Sequence, residues 1–173
     1  MSSRQEKIEI LSRTNRGRKA APSFLASLSD VLGETIDASA LAPLPETDVL
    51  VEAFRRGYQS IKDGALSYRR FFQQREARCV FEFADCLADK IPEEHGLFLT
   101  KLSSDCGAAE LNLSTLLRHV GSVIDFDGDS LSVISTDRTQ GVLIDRNLED
   151  HDQTYEVAVW GDRWSLLALD CDR

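Results

Sequence analysis

Tyr155-Glu156-Val157-Ala158-Val159-Trp160 is the stretch that decides the fold. Tyr155, Val157 and Val159 fall on one face of an extended chain and Glu156 on the other, the period of two that marks a half-buried antiparallel strand. Working outward, Ser130–Thr136 and Gly141–Asp145 have the same character. Together with Thr154–Gly161 they predict three short strands joined by turns and by a strongly acidic loop. Trp164–Leu169 adds a possible last strand. Upstream, Gly96–Leu102 and Ala108–Leu113 predict a hairpin around the turn-rich Ser103–Gly107, and Ser114 caps a short helix through Leu116, Leu117 and Val120 to Gly121.

The first half reads differently. Phe24, Leu25, Leu28, Val31 and Leu32 form a helical stripe that starts near Pro22 and stops at Gly33. Leu50, Val51, Phe54, Tyr58 and Ile61 form a second stripe, capped by Thr47 or Asp48 and closed by Gly64. A third helix is expected from about Ala65, with Tyr68, Phe72, Cys79, Phe83 and Cys86 near one face. Within it Cys79–Phe83 suits a helix or a strand equally, because short apolar runs do not separate the two. Helices followed by strands predict an α+β fold: N-terminal helices packed on a C-terminal, mainly antiparallel sheet with one additional short helix. The expected divisions are a basic, loosely ordered arm over 1–20, a helical region over 21–91 and a strand-rich acidic region over 92–173. Residues 21–173 are expected to form one compact domain.

Composition is ordinary for a globular chain of 173 residues, with 42% hydrophobic and 28% charged residues. The net charge of −9 disfavours nucleic-acid backbones and anionic membranes as partners. Charge is unevenly placed. Residues 1–19 carry six basic against two acidic side chains, whereas 122–173 carry four basic against twelve acidic. No signal peptide or membrane-spanning stretch is evident, so a cytoplasmic location is expected, with Cys79, Cys86, Cys106 and Cys171 reduced.

Motifs for named chemistry are missing: there is no P-loop, G-x-G-x-x-G or G-x-S-x-G. No catalytic residue and no cofactor is assigned. Asp125-Phe126-Asp127-Gly128-Asp129 suggests a calcium loop, but Ser130 and Thr136 occupy places where the template needs Gly and a bidentate acid. Asp127-Gly128 reads instead as a turn. His95 and His119 are isolated. Arg69-Arg70-Phe71-Phe72 mixes cations with aromatics as single-strand binders do, although a buried Phe72 and solvated arginines account for it too.

What remains is an acidic surface. Asp145, Glu149, Asp150, Asp152 and Asp162 suit a basic protein partner. Trp160, turned away from the core face by alternation, either anchors that partner or packs under the arm or helices. We group it with the acids as a partner contact. The expectation is a non-enzymatic binding module, comparable in class to an immunity protein or antitoxin that masks a basic toxin. One alternative is an enzyme or metal-dependent regulator using His151 with Asp145, Glu149 and Asp152. Another is a scaffold in which the basic arm of one copy meets the acidic end of the next. Oligomeric state is not legible.

Overall fold

The computed structural model describes residues 4–64, 66–73, 76–149 and 152–172, with the side chains of Glu6, Leu148, Glu149, Asp152 and Gln153 excepted. The elements run α1 (Arg4–Leu32), α2 (Leu44–Ser60), β1 (Ser67–Gln73), α3 (Ala77–Lys90), β2 (His95–Leu99), α4 (Ser103–Cys106), β3 (Ala109–Asn112), α5 (Leu113–Arg118), α6 (Val120–Asp127), β4 (Ser130–Ser135), β5 (Gly141–Glu149), β6 (Asp152–Trp160) and α7 (Asp162–Cys171). All pairings in the six-stranded sheet are antiparallel, in the order β1-β6-β5-β4-β2-β3. The fold is α+β, as the pattern predicts.

Register sorts side chains cleanly. Tyr155, Val157 and Val159 on β6 share a face with Tyr68 and Phe72 on β1, Val142 and Ile144 on β5, and Leu131 and Val133 on β4. On this face lies the main core, which also takes Phe24 and Leu28 of α1, Val80, Phe83 and Leu87 of α3, Leu116 and Leu117 of α5, and Trp164 of α7. The opposite face is also covered, in part. Leu97 and Leu99 of β2 and Ile134 of β4 form a second, smaller core with Leu50 of α2, and Phe54 meets Trp160 edge-on at 4.8 Å.

Several expectations change. Residues 4–20, read from sequence as a loose arm, are the first half of one long helix. Arg13 donates to both Asp48 oxygens at 2.9 and 2.7 Å and to the Ser104 carbonyl at 2.6 Å, while Arg16 grips Asp105. Those contacts hold the Asn15–Lys19 segment helical despite its weak local preference. Gly17 faces the Asp105 carbonyl so closely that any side chain there would collide. The third helix does not begin near Ala65. Tyr68 and Phe72 belong to β1, where a spacing of four also keeps two residues on one side. Cys79–Phe83 is helical, within α3.

Asn112, not Ser114, caps α5 by accepting from the Thr115 amide at 3.0 Å. Helix continues through Gly121 as α6 until Gly128 takes a positive φ of 108°. Trp164–Leu169 lies in a helix, α7, rather than a strand, with Trp164, Ser165 and Ala168 as its buried residues. Cys86 and Cys171 are joined in a disulfide that ties α3 to α7, with Cα atoms 5.8 Å apart. This overturns the expectation of four reduced thiols for that pair. A bridged pair suits an oxidising compartment better than the reducing cytoplasm. Cys79 and Cys106 are free. Among the described residues no helix is long and apolar enough to cross a membrane.

Candidate functional site

The acidic segment between Asp145 and Thr154 is mostly strand rather than loop. β5 and β6 pair continuously from Gly141↔Trp160 to Glu149↔Asp152. Among the described residues their neighbours stop short. β4 last pairs at Ser130↔Asp145, with one further bond from the Arg146 amide to the Asp129 carbonyl, and β1 last pairs at Gln73↔Thr154. Among the described residues Asn147–Glu149 therefore has no β4 neighbour, and on that side the end of the hairpin runs on as a ribbon. On that side the outer backbone donors and acceptors of β5 have no sheet partner among the described residues.

The predicted contacts fall in different places. Glu149 and Asp152 pair at the ribbon end; Asp150 and His151 lie outside the described residues. Asp145 sits at the ribbon base, half-buried and directly across from Glu156. Burial, with Glu156 and Asp129 close by, raises the pKa of its carboxyl, and Lys101 opposes the shift. Asp162 is exposed at the start of α7, and Trp160 ends β6. Both lie far from Asp152, since eight strand steps span roughly 26 Å.

Trp160 is not the exposed anchor we grouped with the acids. It is 3% exposed, because α2 lies over its face of the sheet and Gly57 and Gly141 leave room for the indole. The site set thus divides into Asp145, Glu149 and Asp152 near the ribbon and Trp160 and Asp162 at the other end of β6.

Part of the acidic excess is also spent internally. Asp125 pairs with Arg146 at 2.5 Å, Asp129 with Lys101 at 3.6 Å, and Asp172 with Arg70. Glu156, expected on a wet face, is 7% exposed. Its Oε1 accepts from Tyr58 Oη and Arg69 Nε, both at 2.8 Å. This Tyr58–Glu156–Arg69 network was missed because alternation says which residues share a face, not whether a helix covers it. Arg69 is the one sequence signal, a cation placed on the strand that becomes the neighbour of β6.

Comparison with protein-family models, curated proteins and solved structures finds no match. Asp145 beside Glu156 is a carboxylate pair with unequal surroundings, but Glu156 is engaged by Arg69 and Tyr58, and His95 and His119 lie elsewhere. His119 Nδ1 meets the Thr115 carbonyl at 3.0 Å, and His95 stands 3.9 Å from Glu110. Among the described residues no group of three or more His, Cys, Asp or Glu side chains is placed to hold a metal.

Proposed function

We propose that this chain is a non-enzymatic protein-binding module that presents the β5–β6 ribbon as an acidic prong to a basic partner. The observation that supports this most is the overrun, among the described residues, of Asn147–Glu149 past β4. Sequence places Glu149, Asp150 and Asp152 at that end, with His151 between them. A paired backbone sets the spacing of carboxylates more firmly than a loop does, and the open β5 edge adds main-chain hydrogen bonding to charge attraction. Masking of a basic toxin by an immunity protein or antitoxin is the class of interaction this arrangement suits.

The test is capture of a partner from host extract with the intact chain, followed by measured association of that isolated partner. Reversing charge in Asp150→Lys with Asp152→Lys is expected to slow association by about tenfold or more at low salt and to flatten its salt dependence. A partner that binds the double variant at an unchanged rate removes the ribbon from the interaction.

A further inference from the structure

β1 is an edge strand: β6 pairs with one side of it, and among the described residues no strand pairs with the other. The Gln73 amide turns away from β6 to donate to Glu76 at 3.0 Å. Backbone groups of alternate residues point the same way along a strand, so those of Arg69 and Phe71 also face outward. Edges of this kind are ordinarily blunted by free charge. Here Arg69 is engaged by Glu156 and Arg70 by Asp172, which leaves the edge without that defence.

Apolar side chains stand on both faces of the same edge. Phe71 shares the Glu156 face of the sheet, with the Arg69 guanidinium 5.0 Å from its ring centroid, and Leu66 precedes the strand. On the core face α7 follows β1 in the same direction, since Ser165 Oγ donates to the Leu66 carbonyl at 3.1 Å and Asp172 pairs with Arg70. One flank of α7 is tied to α3 through Cys171. Helical periodicity puts Leu169, and beyond it Leu166, on the opposite flank, toward the open edge. Leu66, Phe71, Leu166 and Leu169 are each 40–60% exposed, a cluster of large apolar side chains of the kind that marks an interaction site.

Spacing identifies the occupant. α7 lies across β1 and β6, so its axis stands about one strand spacing from a two-fold axis set along the free side of β1. A second copy joined there antiparallel would bring the two α7 axes to two strand spacings, roughly 10 Å, which is the distance at which helices pack. Leu166 and Leu169 of each copy would fill the seam between these helices, and Phe71 would cover the junction on the opposite face. An isolated extended peptide would pair with the edge but bring no second α7 to cover the leucines. Charge permits the approach, because Arg69 and Arg70 reach the seam already matched by Glu156 and Asp172, which spares it the like-charge repulsion of bare arginines. We propose that a second copy of this chain docks on the β1 edge, giving a two-fold dimer in which the two six-stranded sheets run on as one. The proposal does not rest on the acidic ribbon.

Sedimentation equilibrium of the full chain, from micromolar to submillimolar concentration, is the test, with amide hydrogen exchange as a second readout. The expected result is a mass that rises with concentration from 19.3 kDa to twice that value, while the Arg69 and Phe71 amides become slower to exchange. Leu166→Glu with Leu169→Glu should weaken the dimer by about tenfold or more, as loss of central apolar contacts does. Phe71→Lys should weaken it from the other face. All three side chains lie outside the core, so circular dichroism and the melting temperature should stay close to those of the parent chain and separate lost docking from lost folding. Overturning results are a monomer at every concentration, or a dimer undiminished when Leu166→Glu, Leu169→Glu and Phe71→Lys are combined. A dimer dispersed by sodium chloride or by Asp150→Lys with Asp152→Lys would be assembled by charge through the ribbon, and equal weakening by Ile8→Glu with Leu11→Glu would place the contact on the exposed start of α1; either overturns the assignment. Arg69 and Phe71 amides already slow to exchange in the monomer would mean that the edge is covered within the chain, and would overturn it too.

Discussion

Replacing Cys86 and Cys171 together by serine removes the covalent tie between α3 and α7. The two cysteines are 85 positions apart, and for a loop of that length the chain-entropy relation gives about 4.5 kcal/mol of stabilisation. Measured effects usually fall below that relation, so the expected loss is about 2–4 kcal/mol. For a domain of this size that corresponds to a melting temperature lower by roughly 5–15 °C. Native structure should persist, because Trp164 and Ala168 keep α7 in the main core and Asp172 pairs with Arg70. Urea unfolding followed by tryptophan fluorescence gives the free energy directly, and the same titration of the unsubstituted chain with and without reductant should reproduce the difference. A thiol assay under denaturing conditions supplies an independent check: Cys79 and Cys106 should react and the bridged pair should not. Four reactive thiols in the protein isolated without reductant, or an unchanged urea midpoint in the double variant, would refute the reasoning.

Gly57→Ala should destabilise the chain, by about 1–3 kcal/mol in thermal melts, since overpacking the Trp160 indole outweighs better helix propensity. Arg69→Ala should cost about 1–2 kcal/mol because it leaves the Glu156 carboxylate short of its cation, a figure discounted because the Arg69 side chain is 32% exposed. Double-mutant analysis with Glu156→Gln should recover part of that loss. Asp145 carries a carboxyl with a raised pKa, so the folded state holds its proton more tightly than the unfolded state and stability falls as pH rises between the two pKa values. Asp145→Asn should therefore gain on the parent chain at neutral pH, and its advantage should vanish below about pH 4. Asp48 and Asp105 are shifted the other way by Arg13 and Arg16. Their contribution is present above the unfolded pKa and lost as pH falls through the folded one, so removing Arg13 should make acid unfolding of the α1 contact less pH-dependent.

The alternation of Tyr155, Val157 and Val159 was enough to read the antiparallel sheet, and the stripe of Phe24, Leu25 and Leu28 was enough to read a helix packed on it. Other features were set by contacts between distant residues. Tyr68 and Phe72 satisfy both periodicities, and only pairing with β6 decides in favour of a strand. Trp164-Ser165-Leu166-Leu167-Ala168-Leu169 is a short apolar run of the kind that fits either state, and its helix follows from packing against α3. The segment around Gly17 looks like a break until Arg13 and Arg16 find Asp48 and Asp105. Nothing in the spacing of four cysteines identifies which two meet. At the candidate surface, the acids near the chain's end were visible from the start. The local alternation carried no sign that α2 would cover Glu156 and Trp160, or that Asp125, Asp129 and Asp172 would be matched by arginine or lysine.

The place of β1 at one edge of the sheet has a consequence for biosynthesis. Its partner β6 is separated from it by every other strand, so at about 5–20 residues per second a ribosome leaves β1 single for several seconds. Through that interval Tyr68 and Phe72 have no β6 neighbour to dock beside, and nascent chains crowded on one message could zip together through them. Arg69 and Arg70, set between these aromatics, work as gatekeepers against such mispairing. Their charges thus guard the newborn polypeptide before they find Glu156 and Asp172 in the finished one.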